Sequence, residues 1–152
     1  MRRLLLRGMD ALITNVPGYC VCVTTADCVP VLLYDKKQHV VAAVHAGWKG
    51  TVKHIVSNVI DHLNKMFGTQ GEDVIACIGP SISLESFEVG DEVYDAFEES
   101  GFDMSLISMK KKETGKYHID LWEANRIELL NLGVPAEQIE VAGICSYIHH
   151  DE

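Results

Sequence analysis

Two apolar runs separated by a short polar break constrain this chain more than any other feature. They are VPVLLYD at residues 29–35 and HVVAAVHA at residues 39–46. Asp35-Lys36-Lys37-Gln38 supplies turn chemistry, so the runs read as the arms of a β-hairpin. Both are apolar at odd and even positions, which predicts a sheet covered on both faces. YCVCVTT at 19–25, DVIACIG at 73–79 and IEVAGICSYI at 139–148 read as further strands, and DALITN at 10–15 leads into the turn signal Val16-Pro17-Gly18. Between them, Val52, Ile55, Val56, Val59, Ile60, Leu63, Met66 and Phe67 recur at helical spacing, predicting a helix over about residues 50–67 with Gly68 as its C-cap. Residues 90–99 and 120–132 read as two more helices, with a polar loop around Lys110–Lys112 and Gly115. The alternation predicts a mixed, layered α/β sandwich in a single domain spanning 1–152.

Composition narrows the function classes. With 47% hydrophobic and 23% charged residues, the 152-residue chain has the make-up of an ordered globular domain. Its 22 acidic against 13 basic residues give a net charge of −9, which disfavours nucleic acid as the main partner. The basic clusters at Arg2, Arg3, Arg7 and at Lys110–Lys112 read as solvated runs. No stretch reaches the roughly 18 apolar residues a membrane span needs, and Leu4-Leu5-Leu6 is too short for a signal peptide. The five cysteines (Cys20, Cys22, Cys28, Cys77, Cys145) are odd in number, form no CxxC, and lie mostly in apolar strands. Cys20 and Cys22 are read as facing apart. The expectation is a reduced, cytoplasmic protein without disulfides.

The chemistry concentrates at the ends of the hairpin. A turn centred between residues 36 and 37 places Cys28 directly opposite His45, with Cβ atoms about 4.5–5.5 Å apart. A thiol beside an imidazole can supply two ligands to one metal, or a nucleophile and its base. Gly47 and Gly50 allow close backbone approach, Trp48 offers a stacking surface, and Lys49 offers a cation for an anionic group. Ser81, in the IGPSIS turn, is a further candidate for substrate contact. His149-His150 form a possible metal pair at the chain end. His54 and His62 read as surface histidines, and His118 as a strand residue leading to the helix cap Asp120.

The motifs TADCVPVLL, VHAGWKG, IGPSISLESFEVGDEV, YHIDLWEAN and GICSY resemble, in order, those of the laccase-domain family. This family is also called YfiH-like or multicopper polyphenol oxidase. The resemblance runs from about residue 9 onward. It implies a layered α/β fold related to Cys–His toxin deamidases, and a metal held by Cys28, His45 and a further histidine. The metal is zinc in some members and copper in others. It also implies activity on small molecules: phosphorolysis of adenosine, inosine or methylthioadenosine with phosphate, adenosine deamination, copper-dependent phenol oxidation, or peptidoglycan-precursor editing. The family's upstream Q-V-H-G-like segment and its F-F-S-Y-R-R-like tail have no match here, so the domain is expected to be incomplete at both ends. The expectation is a Zn²⁺-dependent purine nucleoside enzyme using Cys28, His45, Trp48, Lys49 and Ser81. A copper phenol oxidase is the alternative, followed by a metal-free Cys–His hydrolase or a non-catalytic binding domain.

Overall fold

The hairpin arms form where the sequence places them. In the computed structural model, which describes the backbone of residues 2–3 and all of residues 9–148, β4 spans Val29–Asp35 and β5 spans Val40–Ala46. Earlier in the chain lie β1 (Arg2–Arg3), β2 (Ala11–Thr14) and β3 (Tyr19–Cys20). The helices α1 (Trp48–Val52) and α2 (Ile55–Phe67) follow, then β6 (Val74–Ile78) and β7 (Glu88–Val89). The second half holds α3 (Asp91–Glu99), α4 (Met104–Ile107), β8 (Ser108–Lys110), β9 (Tyr117–Ile119), α5 (Leu121–Asn131) and β10 (Ile139–Val141). The main sheet has the order β10-β6-β4-β5-β2, antiparallel except for the parallel β10–β6 pair. A small sheet β7-β9-β8 and a parallel β1–β3 ribbon complete the strands among the described residues.

The turn is longer than a two-residue break. Asp35 pairs with Val40, leaving residues 36–39 as a four-residue loop. Asp35 Oδ1 accepts the N–H groups of Lys37 (2.9 Å) and Gln38 (3.0 Å), its carbonyl accepts that of His39 (2.9 Å), and His39 closes the loop with φ 55°. A capped loop of this kind is what a buried aspartate at a strand end stabilises. It moves the register by two residues from the expected one.

The inner face of the sheet carries the core. Val29, Val31 and Leu33 of β4 join Ala42, Val44 and Ala46 of β5 and Val74, Ala76 and Ile78 of β6, all buried. Against them α2 presents Val56, Val59, Ile60 and Leu63, also buried; each such side chain contributes about 1.5–3 kcal/mol by leaving water. The outer face differs from the two-sided burial that the sequence suggests. Leu32 is 52% exposed, and Tyr34, Ile75 and Cys77 are exposed beside it. Near the site end the main chain is closely packed: Gly79 donates to the Pro30 carbonyl at 2.9 Å, and a Cβ there would meet Pro30 Cγ at 2.8 Å.

Several elements depart from the sequence reading. The helix expected over 50–67 begins at Trp48 and breaks at His54, which is left-handed with φ 56°. The cause is tertiary: His54 Nδ1 lies 2.6 Å from the buried Glu128 carboxylate of α5, and Nε2 lies 3.0 Å from the Ser100 carbonyl. His54 is therefore a half-buried clamp and not a surface histidine, whereas His62 is exposed. The strands expected at 19–25 and 139–148 shrink to two and three residues. Most cysteines are not buried as strand hydrophobes either, since Cys22 and Cys77 are exposed and Cys20 and Cys28 half-buried. Gly68 (φ 74°) does cap α2, and Asp120 does cap α5, its side chain accepting Glu123 N–H at 2.9 Å.

Candidate functional site

Cys28 immediately precedes β4, and His45 is the next-to-last residue of β5. Pro30 pairs with His45, and the same register carries Cys28 opposite Gly47. The expected direct Cys28–His45 opposition is thus corrected to a diagonal one. A slip of two residues preserves which side each residue faces, so both still project from the outer face. The residue between them has no side chain. A Cβ on Gly47 would meet Cys28 Sγ at 3.0 Å and His45 Nε2 at 4.0 Å, so thiol and imidazole converge on the space that Gly47 leaves open.

Asp10, immediately before the edge strand β2, is a neighbour of the site that the local sequence does not single out. The Asp10 backbone carbonyl accepts the His45 backbone N–H at 2.6 Å, and its side-chain Oδ1 lies 3.8 Å from His45 Nδ1. The carboxylate thus stands on the Nδ1 side of the ring, opposite the Nε2 that faces the space above Gly47. Asp10 acts here only because β2 pairs with β5 across some thirty residues of chain, a contact no local pattern announces.

From Gly47 the chain turns into α1, bringing Trp48 and Lys49 to the same cleft. Lys49 Nζ lies 5.5 Å from the Trp48 ring centroid. Asp10, Cys28, His45, Gly47, Trp48, Lys49 and Gly50 line a cleft of about 260 Å³. Larger cavities exist, of about 480 Å³ between β2 and α2, about 410 Å³ beside His54 and Glu128, and about 370 Å³ on the apolar outer face. None combines thiol, imidazole, carboxylate and ammonium, and chemistry outranks size here.

Burial pushes the Cys28 thiol pKa up, and the Asp27 and Asp10 carboxylates add to the rise. The bare thiol therefore stays protonated near neutral pH, a poor free nucleophile. A bound cation would displace that proton. Sulfur and imidazole nitrogen, with a carboxylate behind the ring, are the donor chemistry of zinc or copper. Among the described residues, no group of three or more His, Cys, Asp or Glu side chains is placed to hold a metal ion. His149 and His150 lie outside the described residues.

Ser81 is placed differently from Trp48 and Lys49. It is fully buried, donating to the Gly79 carbonyl (3.0 Å) and accepting from Trp122 Nε1 (2.6 Å), and it does not line the cleft. It belongs to a hub in which residues 81–83 meet 145–146. The Ser81 carbonyl accepts Ser146 N–H (3.1 Å), and Ser83 N–H donates to Cys145 Sγ (3.4 Å). The hub reaches the cleft through Asp27, whose carbonyl accepts Ile82 N–H (2.9 Å) and whose carboxylate accepts Ser146 Oγ–H (2.8 Å). Among the described residues, no helix is long and apolar enough to cross a membrane.

Comparison with known proteins bears on this arrangement. The family model "Multi-copper polyphenol oxidoreductase laccase" matches residues 2–152. A purine nucleoside phosphorylase of Bacteroides thetaiotaomicron is 65% identical over 99% of this chain and 56% of its own length. The adenosine deaminase RL5 of an unknown prokaryotic organism is 43% identical over 95% of this chain and 55% of its own. The crystal structure of YlmD from Geobacillus stearothermophilus superimposes with a TM-score of 0.86 at 31% identity, over 94% of this chain and 53% of that one. The chain thus spans about half the length of the curated relatives it matches. The family match over residues 2–152, the sequence identities and the shared fold agree, and this chain belongs to the multi-copper polyphenol oxidoreductase laccase family.

Proposed function

We propose that the cleft between Cys28 and His45 is the metal-binding and reaction site of an enzyme acting on purine nucleosides. The observation that carries this is the convergence of Cys28 Sγ and His45 Nε2 on the space above Gly47, with Trp48 and Lys49 on the same wall. The relatives named purine nucleoside phosphorylase and adenosine deaminase support the substrate class. Cys28 and His45 would hold the ion through Sγ and Nε2, with Asp10 fixing the imidazole from its other side. Such an ion, zinc or alternatively copper, supplies Lewis-acid activation of water or phosphate when bound. Trp48 would stack on a base or nucleoside face and Lys49 would neutralise phosphate. The raised thiol pKa favours this reading over a metal-free Cys28–His45 hydrolase.

The test is base release from adenosine and inosine, with and without phosphate, after supplying zinc. It is run in this chain and in a chain of its relatives' full length. Phosphate-dependent release of adenine or hypoxanthine, lost in C28A, supports phosphorolysis. Absence of both base release and deamination in folded, zinc-supplied protein of either length rejects the nucleoside reading.

The family model's description favours copper-dependent phenol oxidation as a second reading. Stoichiometric copper in protein purified without added metal, together with phenol turnover, would select it over the first.

A further inference from the structure

A pair of sulfurs lies beside the outer face of the sheet, apart from the residues that line the cleft. Cys20 ends β3 and Cys22 follows two residues later. Residues two apart along an extended chain share a face, so the sequence reading that sets these cysteines apart is corrected. Their sulfurs are 3.5 Å from each other. Cys22 is exposed, while Cys20 is half-buried with Sγ 3.8 Å from the Val21 carbonyl. Residues 21–25 belong to no helix or strand, so the main chain that must adjust for the sulfurs to close is not fixed in a ladder. The segment 19–21 also lines the apolar cavity over Leu32, Tyr34, Ile75 and Cys77, where exposed Cys77 offers a third thiol.

We propose that Cys20 and Cys22 are a modification site that closes into an intrachain disulfide by exchange with low-molecular-weight disulfides such as oxidised glutathione. The geometry assigns an order to the two thiols. The exposed Cys22 thiolate attacks one sulfur of the small disulfide, forming a mixed disulfide and releasing one small thiolate. The Cys20 thiolate then attacks the Cys22 sulfur, forming the Cys20–Cys22 bond and expelling the second small thiolate. The two protein thiols give up two protons and two electrons, and the small disulfide is reduced to two thiols. A bonded pair separated by one residue closes a small ring under strain. Strain places the couple toward the oxidising end, so the pair is open in a reducing thiol pool and closes as that pool oxidises. Cys28, at the cleft, takes no part.

The test treats the reduced chain with oxidised glutathione and follows thiol count and intact mass for the wild type and for C20A, C22A and C77A. Folding is checked by circular dichroism, with serine variants as substitutes where alanine disturbs it. The expected result is a Cys20–Cys22 bond, with loss of two hydrogens and no glutathione retained on either residue, in wild type and C77A alike, located by peptide mass mapping. C20A is expected to keep glutathione on Cys22, with at least about tenfold more mixed disulfide than wild type. A wild type that stays glutathionylated on Cys22, or shows no reaction there, overturns the proposal. So does a two-thiol loss that persists in C22A, or one that disappears in C77A.

Discussion

Cys28 and Cys145 sit at opposite ends of one hydrogen-bonded chain of residues, and their thiols are pushed in opposite directions. Cys28 is half-exposed beside an imidazole, yet burial and the carboxylates of Asp27 and Asp10 raise its pKa. Cys145 is only 6% exposed. Burial alone would push it up, but hydrogen bonding with the Ser83 and Ser86 side chains and with the backbone of Ser83 and Ile148 outweighs that and holds it at about 6. A neighbouring histidine does not by itself make a thiolate. Directed donors do, and at Cys28 the missing donor is what a metal ion would replace. The difference separates a thiol at an open cleft from one held by hydrogen bonds inside a buried hub.

The largest effect that sharpens this contrast comes from removing Cys28. C28A should weaken zinc binding at least about 100-fold, measured by competition with a chromogenic chelator, because in the proposed site its sulfur is a direct ligand. C145A should leave zinc affinity unchanged and instead lower stability by about 1–3 kcal/mol in urea denaturation, since the Ser83 N–H loses its acceptor in a buried hub. Equal zinc loss in both variants would break the distinction. D10N should cost about tenfold in zinc affinity with little change in the unfolding midpoint, as loss of the group behind a metal-binding imidazole does.

Proton linkage gives a smaller effect of defined sign. The folded pKa of Cys145, about 6, lies below its ordinary value of 9.0. Its contribution to stability is therefore fully present above pH 9.0 and is lost as pH falls toward about 6. That slope should flatten in C145A. The smallest effect is steric. G47A puts a methyl 3.0 Å from Cys28 Sγ with φ at −70°, an ordinary backbone angle, so it should reduce zinc affinity a few-fold without unfolding the chain.

The sequence made some of this legible and hid the rest for physical reasons. The strands β4 and β5 are clear because seven-residue apolar runs bounded by turn residues leave few alternatives. The side of the sheet shared by Cys28 and His45 is clear too, since it depends only on parity. The register is not, because the Asp35 side chain and the left-handed His39 lengthen the turn through side-chain capping. Trp48 and Lys49 follow His45 so closely that adjacency alone puts them at the cleft. Asp10 and the burial of Ser81 depend on pairings between distant segments, β2 with β5 and residue 81 with residue 145. The strands of two or three residues in the small sheet carry too little periodicity to stand out.

The central claim is that Cys28 and His45 together bind a metal ion. Titration of the reduced chain with cobalt(II), followed by the thiolate-to-cobalt charge-transfer absorption, tests it most directly. The account predicts a band in wild type and C145A, none in C28A, and a shifted or weakened one in H45A. An undiminished band in C28A would contradict it.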